Sequence, residues 1–299
     1  MNNKTETFLE YKGLLFSMAY NMLGNIDEAE DIVQDTYLKW METEAEAIRH
    51  TKAFLVKMVT NKCINYLNSA RVKREEYVGI WLPEPLQYSD SNKVHARIES
   101  YHALSIGMLV LMEKLTPQER AIFLLKEVFA YDYYELAELF DKTTDNCRQI
   151  LKRARENLGK DTRRFEVDME VHEKILNNFL LAISEGNVQD LVDLLKEDIM
   201  MLADGGGRTF TVNGKRLMAF LKPIHGRENV SRVLLSLVPK FRESVPDFSQ
   251  RITLANGLPS ILSFSGNAPL SLVSLEPDEN RIRNIYVQTN PDKLKHFKK

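Results

Sequence analysis

Apolar residues recur every three or four positions along the first quarter of the chain, which predicts three helices. The first runs from Phe8 to Leu23 and ends before Gly24, a residue type that commonly terminates helices. The second begins near Asp27, whose side chain is suited to cap a helix start. The third extends from Lys52 to about Glu76. The apolar side of the second helix is expected to consist of Ala29, Ile32, Val33, Thr36, Tyr37 and Trp40.

Shorter helices follow, and the segment from Thr116 to Leu158, which contains the last two, has the pattern of a helix-turn-helix. A helix is expected near Lys93 to Leu115, and Thr116, Pro117 and Glu119 form the signature of a capped helix start that leads on through Val128. Tyr133 to Phe140 and Thr144 to Leu158 are the next two helices. The last of them has one side suited to burial, made of Cys147, Ile150, Leu151, Ala154 and Leu158.

Beyond Asp168 the pattern changes to a mixture of helices and short strands. Helices are expected at Val171 to Ser184, Val188 to Leu195 and Arg227 to Phe241, with a hairpin-like region at Ile199 to Val212 that turns through its glycines. Four strands separated by turn residues predict an antiparallel meander. They are Phe248 to Ala255, Ser260 to Ser265, Leu270 to Glu276 and Arg281 to Gln288.

Gly79 to about Asn92 reads as a linker, because Pro83 and Pro85 disfavour helix and Trp81 can anchor the segment. The fold class is therefore multidomain, with two all-α domains followed by an α+β domain. We expect segment boundaries at residues 1–78, 79–103, 104–162, 168–289 and 290–299.

Composition places the chain among globular proteins with real cores, since it has 299 residues of which 44% are hydrophobic and 27% charged. It has neither an apolar run of the roughly 20 residues that span a bilayer nor a secretory signal pattern, so we expect a cytoplasmic protein without membrane contact. Cys63 and Cys147 fall on apolar helix faces and are expected to be buried, reduced thiols. The six histidines are scattered, so we predict no metal and no cofactor.

Charge is separated along the chain although the net charge is only -2. Lys52 to Arg74 contains six basic residues and no acid, and Lys142 to Lys160 contains six basic and two acidic residues, a balance of +4. Acidic residues concentrate instead between Asp27 and Asp35. This separation favours one surface for a polyanion and another for a basic protein partner, although solvated helix faces on an enzyme would show similar charge.

The two basic helices carry side chains suited to nucleic acid. In the first, cations can neutralise phosphates and amides can hydrogen-bond single-stranded bases; the candidates are Lys57, Asn61, Lys62, Asn65, Arg71 and Arg74. In the helix-turn-helix, Thr143 or Thr144 can cap the last helix and meet a phosphate, while Lys152 and Arg153 can hold the backbone. Asn146, Arg148 and Gln149 can approach base edges in a major groove.

The order of an acidic helix, a basic helix, a linker and a helix-turn-helix resembles regions two and four of bacterial RNA polymerase sigma factors of the extracytoplasmic-function type. The acidic string from Asp27 to Thr36 looks like the family's helix that binds core polymerase. The resemblance implies that this surface consists of Asp27, Glu28, Glu30, Asp31, Gln34, Asp35 and Trp40. Arg148 and Gln149, with Arg153, match the family's recognition helix.

Three short strings resemble the hallmarks of the subgroup that carries a fused C-terminal SnoaL-like, or NTF2-like, domain. The first is Trp81, Leu82, Pro83, Glu84 and Pro85. The second is Asp204, Gly205, Gly206, Gly207 and Arg208. The third is Asn290, Pro291, Asp292, Lys293 and Leu294. The resemblance implies that these strings are regulatory, with the linker packing against the extra domain and the last string contributing to switching.

The resemblance also implies the partners and the roles of the five segments. The first segment would be region two, which binds the largest and second-largest polymerase subunits and the minus-ten promoter element, with a flipped base captured near Glu42 to His50. The third would be region four, which binds the minus-thirty-five element. The fourth would be regulatory, with an unknown small ligand of its pocket left open. The chain would be no enzyme.

Two other interpretations stay open. One is a free-standing helix-turn-helix regulator that works without polymerase. The other is a SnoaL-like small-molecule enzyme fused to a DNA-binding module, for which Asp204 is the tempting carboxylate base. An aspartate beside three glycines is, however, typical of a tight turn.

Overall fold

The computed structural model describes residues 3–44, 48, 50–75, 77, 79–87, 104–159, 168–206, 209–212, 215–218 and 221–299; the side chains of residues 3, 70–75, 209–212, 215–218, 237 and 241 lie outside the description. Contacts divide the chain into two compact units. The helical unit comprises Met1–Glu75, Tyr88–Leu104 and Met108–Phe165, and the sheet unit comprises Glu76–Gln87, Ser105–Gly107 and Glu166–Lys299.

The helical unit begins with three helices: α1 (Asn3–Leu23), α2 (Ile26–Glu42) and α3 (Thr51–Glu75). The predicted apolar side of α2 is confirmed, because Ala29, Ile32, Val33, Thr36 and Trp40 are buried. The predicted cap is wrong. Asn25 caps α2, accepting a hydrogen bond from the backbone N–H of Glu28 at 2.9 Å, while Asp27 lies inside the first turn. Asp27 there still faces the positive end of the helix dipole.

The second part of the helical unit contains α4 (Ile106–Met112) from Met108 onward, α5 (Pro117–Phe123), α6 (Tyr133–Phe140) and α7 (Thr144–Leu158). The predicted capping box of α5 is confirmed by reciprocal hydrogen bonds between Thr116 and Glu119. A π-helical turn, Leu124–Val128, closes this helix. The predicted apolar side of α7 is fully buried, and the thiol of Cys147, like that of Cys63 in α3, is free and buried.

Arg120 of α5 is buried and links parts of the helical unit that are far apart in sequence. Its guanidinium donates to the carbonyl of Met22 at 2.7 Å and to the carbonyl of Met112 at 2.8 Å. Glu113 lies 2.9 Å from the same guanidinium and balances its charge. A buried cation with this many partners fixes α5 against the ends of α1 and α4.

The sheet unit contains a six-stranded sheet in the order β4-β1-β8-β7-β6-β5. The strands are β1 (Leu195–Asp204), β4 (Ile224–His225), β5 (Phe248–Ala255), β6 (Leu258–Ser265), β7 (Ala268–Asp278) and β8 (Arg281–Gln288); β2 (Thr209–Val212) and β3 (Lys215–Met218) form a separate pair. The predicted meander from β5 to β8 is confirmed. Parallel pairing of β1 with β8 joins β1, and with it β4, to this meander.

Helices cover one face of this sheet and a short helix covers part of the other. Residues of α8 (Met169–Glu185), α9 (Val188–Leu194) and α10 (Arg227–Ser244) form one core with β1, β6, β7 and β8. A second core joins the meander to α11 (Pro291–Leu294) through Leu294 and Phe297. This packing makes the unit an α+β domain, as predicted.

The predicted hairpin between Ile199 and Val212 is wrong. β1 pairs with β4 and β8, and β2 pairs with β3. Ile199, Met201 and Ala203 of β1 are buried, as expected of an internal strand with neighbours on both sides. The chain therefore leaves β1 at the glycine turn without returning along it.

Among the described residues, no helix is both long and apolar enough to cross a membrane.

Candidate functional site

One face of α2 is acidic and exposed. Asp27, Glu30, Asp31, Gln34 and Asp35 are exposed, and Glu28 is half-buried. These residues follow the helical period that leaves the apolar side of α2 in the core, so their side chains are presented together on the outside. The arrangement provides a negative surface for a basic partner.

Trp40 does not belong to this surface. Only 2% of the residue is exposed, and its indole N–H donates to the carbonyl of Lys4 at 2.9 Å. The sequence assigned Trp40 to a polymerase contact, but its position on the apolar side of α2 places it in the core. Its role in the helical unit is to hold α2 against α1.

An apolar groove of about 440 Å³ lies between α1 and α2, next to the acidic face. Phe8, Leu9, Phe16, Val33 and Tyr37 line it. Leu9 is 43% exposed, and Glu30 and Gln34 form part of the same rim. Apolar surface bordered by charge is typical of protein docking sites.

The basic helix α3 presents Asn61 and Asn65 to solvent, with Lys57 and Lys62 half-buried. Lys57 is bonded to the turn between α6 and α7, donating to both oxygens of Asp141 at 2.9 and 3.0 Å. Lys62 is bonded to Asp35 at 3.0 Å. Both lysines are therefore already paired with a carboxylate in the structure. Arg71 and Arg74 lie in the last turns of α3, and their side chains are outside the described residues.

The last helix of the helix-turn-helix, α7, is capped by Thr143, whose hydroxyl accepts from the backbone N–H of Asn146 at 3.2 Å. Thr144 is the first helical residue and is half-buried. The residues predicted to face nucleic acid are all exposed: Asn146, Arg148, Gln149, Lys152 and Arg153. The buried side of α7 thus leaves a cationic surface outward, as its periodicity predicts.

Arg148 has two neighbours that sequence reasoning missed. Its Nη1 donates to the carboxylate of Asp145 at 2.6 Å, and its guanidinium carbon lies 4.9 Å from the ring centre of Tyr133 in α6. Three-residue spacing on one helix could have suggested the Asp145 contact. The Tyr133 contact depends on how α6 packs on α7 and has no local signal.

The three strings come together in the sheet unit around the carboxylate of Asp204, which is 0% exposed. Lys293 lies 2.7 Å from Asp204 and also donates to the carbonyl of Leu82. The backbone N–H groups of Leu82 and Gly206 each donate to Asp204 at 2.9 Å, and the Tyr77 hydroxyl donates to it as well. We call these groups the Asp204 cluster.

Aromatic rings complete the surroundings of Lys293. Its ammonium lies 4.5 Å from the ring centre of Trp81 and 5.4 Å from that of Tyr77. Burial, together with the hydrogen bond and the negative charge of Asp204, raises the pKa of Tyr77 well above its usual value. The phenol therefore stays protonated and keeps donating to Asp204. Sequence reasoning did not identify Tyr77, because nothing in its neighbourhood indicates a partner 127 residues away.

Other contacts hold the rest of the strings in place. Asn290 caps α11, accepting from the N–H of Asp292 at 3.1 Å, and its amide donates to the Tyr77 hydroxyl at 3.2 Å. A Cβ at Gly206, where φ is +63°, would lie 2.5 Å from that amide nitrogen, so only glycine fits. The carboxylate of Glu84 is buried 3.5 Å from His296.

The two prolines of the first string lie in the interior of the sheet unit. Pro83 and Pro85 are buried, and the carbonyl of Pro83 accepts from Gln288 at 3.3 Å. Gly205 is buried, whereas Gly207 and Arg208 lie outside the described residues. Asp204, with four donors on its carboxylate, is committed to holding the linker rather than poised as a free base.

The sequence matches two family models. Residues 7–72 match Sigma-70 region 2, and residues 107–158 match Sigma-70, region 4. The first match covers α1 to α3 and the second covers the helix-turn-helix. Together they define a transcription initiation factor of the sigma-70 class.

Similarity to individual proteins extends over nearly the whole chain. The chain is 27% identical to "ECF RNA polymerase sigma factor SigJ" of Mycobacterium tuberculosis, over 94% of this chain and 89% of that protein. It is 22% identical to a probable ECF sigma factor, SigI, of the same species, over 95% and 92% of the two chains. The crystal structure of Mycobacterium tuberculosis SigJ has the same fold, with a TM-score of 0.76 at 23% identity over 97% of this chain and 98% of that one.

The chain therefore contains sigma-70 regions 2 and 4 and is similar over nearly its whole length to extracytoplasmic-function sigma factors. Its function is that of a sigma factor, which works with core RNA polymerase to direct promoter-specific transcription initiation. The predicted fold class, two helical sigma regions followed by an α+β domain, is confirmed.

Proposed function

We propose that this sigma factor binds the largest polymerase subunit through α2, contacts the minus-ten element through α3, and reads the minus-thirty-five element through α7. The sheet unit regulates these activities by holding the linker. The observation that carries the proposal is the separation of charge within the helical unit, where α2 exposes acids and α7 exposes cations. The boundaries 1–78, 79–103, 104–162, 168–289 and 290–299 are part of this proposal.

The acidic face of α2 supports polymerase binding by electrostatic complementarity, and the adjoining groove offers apolar area. We expect the charge reversals Glu30→Lys and Asp31→Lys to weaken binding to core polymerase more than tenfold. Fluorescence anisotropy with labelled sigma factor measures the affinity. Glu185→Lys, at the exposed C-terminal end of α8, is the control. Equal affinities for all three variants would refute this assignment.

The cationic sides of α3 and α7 support binding to promoter DNA. Phosphate contacts fix the position of a protein on DNA, and base contacts give sequence selectivity. We expect Arg148→Ala to relax selectivity for the minus-thirty-five element, because arginine can form two hydrogen bonds to a guanine. Run-off transcription with core polymerase, on cognate and scrambled promoters, measures the selectivity. Unchanged discrimination would contradict the assignment.

The Asp204 cluster supports regulation by the sheet unit, because it bonds Leu82 of the linker, and Tyr77 just before the linker, to the end of β1 and to α11. Releasing the linker at this point would change the freedom of the segment that precedes region four. We expect Lys293→Met to change transcript yield from a cognate promoter while binding to core polymerase stays within twofold. A yield equal to that of the unchanged protein would count against a regulatory role.

A further inference from the structure

Arg148 is held on two sides before any DNA is present. The carboxylate of Asp145, one turn earlier in α7, accepts a hydrogen bond from Nη1 at 2.6 Å. The ring of Tyr133 lies under the guanidinium at 4.9 Å, within the range of a cation–π contact. Lys126, in the π-helical turn, lies 4.8 Å from the centre of the same ring.

These two contacts leave part of the guanidinium available. Tyr133 covers a face of the planar group and Asp145 occupies one terminal nitrogen. Within the described part of the chain, the donors at Nε and Nη2 of Arg148 have no hydrogen-bond partner, and the side chain is 52% exposed. Two parallel N–H donors are what the O6 and N7 acceptors of guanine require.

Neither contact contributes much to the stability of the fold. The side chain of Asp145 is 81% exposed, and ion pairs this exposed are worth little. The two contacts instead restrict the conformations of the Arg148 side chain. This side chain has several rotatable bonds, and fixing them on binding costs entropy. When the guanidinium of Arg148 is oriented in advance, less entropy is lost on forming a directional contact with one base pair.

We propose that Tyr133 and Asp145 are positioning residues that orient Arg148 for base reading and so set selectivity at one base pair. This inference rests on the proposed role of Arg148 as a base-reading residue. Tyr133 lies in α6, the first helix of the motif, so the selectivity of α7 depends on a side chain outside the recognition helix.

The test uses the full-length protein bound to core polymerase and a panel of promoters, each with one minus-thirty-five base pair replaced. Binding is measured by competition at fixed salt for four variants: Tyr133→Leu, Tyr133→Phe, Asp145→Asn and Arg148→Ala. We expect Arg148→Ala to lose discrimination at one base pair. Tyr133→Leu should lose about two- to fivefold at the same base pair, the factor that corresponds to an exposed cation–π contact.

Tyr133→Phe keeps the ring and should stay within twofold of the unchanged protein. Asp145→Asn keeps a hydrogen-bond acceptor but removes the charge, so a smaller loss is expected at that same base pair. In the Arg148→Ala background, Tyr133→Leu should have no further effect on discrimination, which a merely structural role would not predict. A thermal unfolding midpoint for Tyr133→Leu close to that of Tyr133→Phe shows that the motif is folded.

The outcomes separate this inference from the function on which it rests. Loss for Arg148→Ala without loss for Tyr133→Leu overturns the positioning role and leaves base reading in place. No loss for Arg148→Ala overturns base reading, and the positioning role with it. A uniform loss for Tyr133→Leu at every base pair, or with non-specific DNA, would show a structural role and overturn the inference.

Discussion

The ion pair between Asp204 and Lys293 gives the sharpest prediction, because both side chains are almost completely buried, at 0% and 8% exposure. Removing one partner of such a pair typically costs about 3–5 kcal/mol, since the other charge is left without a counterion. In Asp204→Asn the new amide N–H₂ must also face one of four donors, and Lys293 loses its carboxylate. We therefore expect a cost of about 3–5 kcal/mol in the free energy of unfolding.

Lys293→Met should cost less. The carboxylate of Asp204 and the carbonyl of Leu82 each lose the ammonium of Lys293 as a donor, but the carboxylate keeps three hydrogen bonds, from Tyr77, Leu82 and Gly206, that continue to stabilise its charge. A buried group left without its hydrogen bond costs about 1–3 kcal/mol. The double variant should be more stable than the sum of the two single costs predicts, by about 1–3 kcal/mol.

Trp81 provides the assay, because it lies 4.5 Å from the ammonium of Lys293. The chain has two tryptophans, so Trp40→Phe leaves Trp81 as the single fluorescent reporter of the sheet unit. Urea unfolding followed at this residue yields the four free energies of the cycle. Strictly additive costs, or a cost below about 0.5 kcal/mol for Asp204→Asn, would refute the claim that the pair is a coupled, buried interaction.

Three further predictions follow from contacts in the two units. Asp141→Asn should raise the affinity for single-stranded DNA about two- to fivefold at low salt, because it frees Lys57. The control Glu138→Gln makes the same change in net charge and should leave the affinity unchanged. Fluorescence anisotropy measures both affinities, and equal effects of the two variants would contradict the reasoning. Burial lowers the pKa of His172, so the unfolded chain binds more protons than the folded chain, and the free energy of unfolding should fall as the pH drops below about 6.5. Urea unfolding at a series of pH values measures this dependence. The same dependence on pH in His172→Gln as in the unchanged protein would be contrary evidence. Thr116→Ala should lower the free energy of unfolding by about 1 kcal/mol and Thr116→Ser should change it little, since only alanine removes the capping hydroxyl. Thermal unfolding measures the difference, and equal midpoints for the two variants would disprove this.

Helix positions were predictable from sequence because they depend on local spacing. The apolar side of α7 and the capping box at Thr116 needed only neighbours within a few residues. Trp40 shows the limit of functional assignment by resemblance, since its place on the apolar side of α2 already indicated burial.

Long-range partners could not be predicted in the same way. The parallel pairing of β1 with β8 joins residues more than 80 positions apart, and a period of two does not specify which strand lies alongside. Asp204 was correctly placed next to a turn, but its burial depends on Lys293 and Leu82, which are distant in sequence. The occupation of Lys57 by Asp141 depends likewise on packing within the helical unit.

The position of β8 inside the sheet has a consequence for synthesis on the ribosome. β8 lies between β1 and β7, so the sheet cannot be completed until Gln288 has emerged, 130 residues after Leu158 ends α7. At about 5–20 residues per second, this delay is roughly 7–26 s. During that interval the emerging chain has its complete helix-turn-helix, whereas Leu82 and Pro83 of the linker still lack the hydrogen bonds that Lys293 and Gln288 provide.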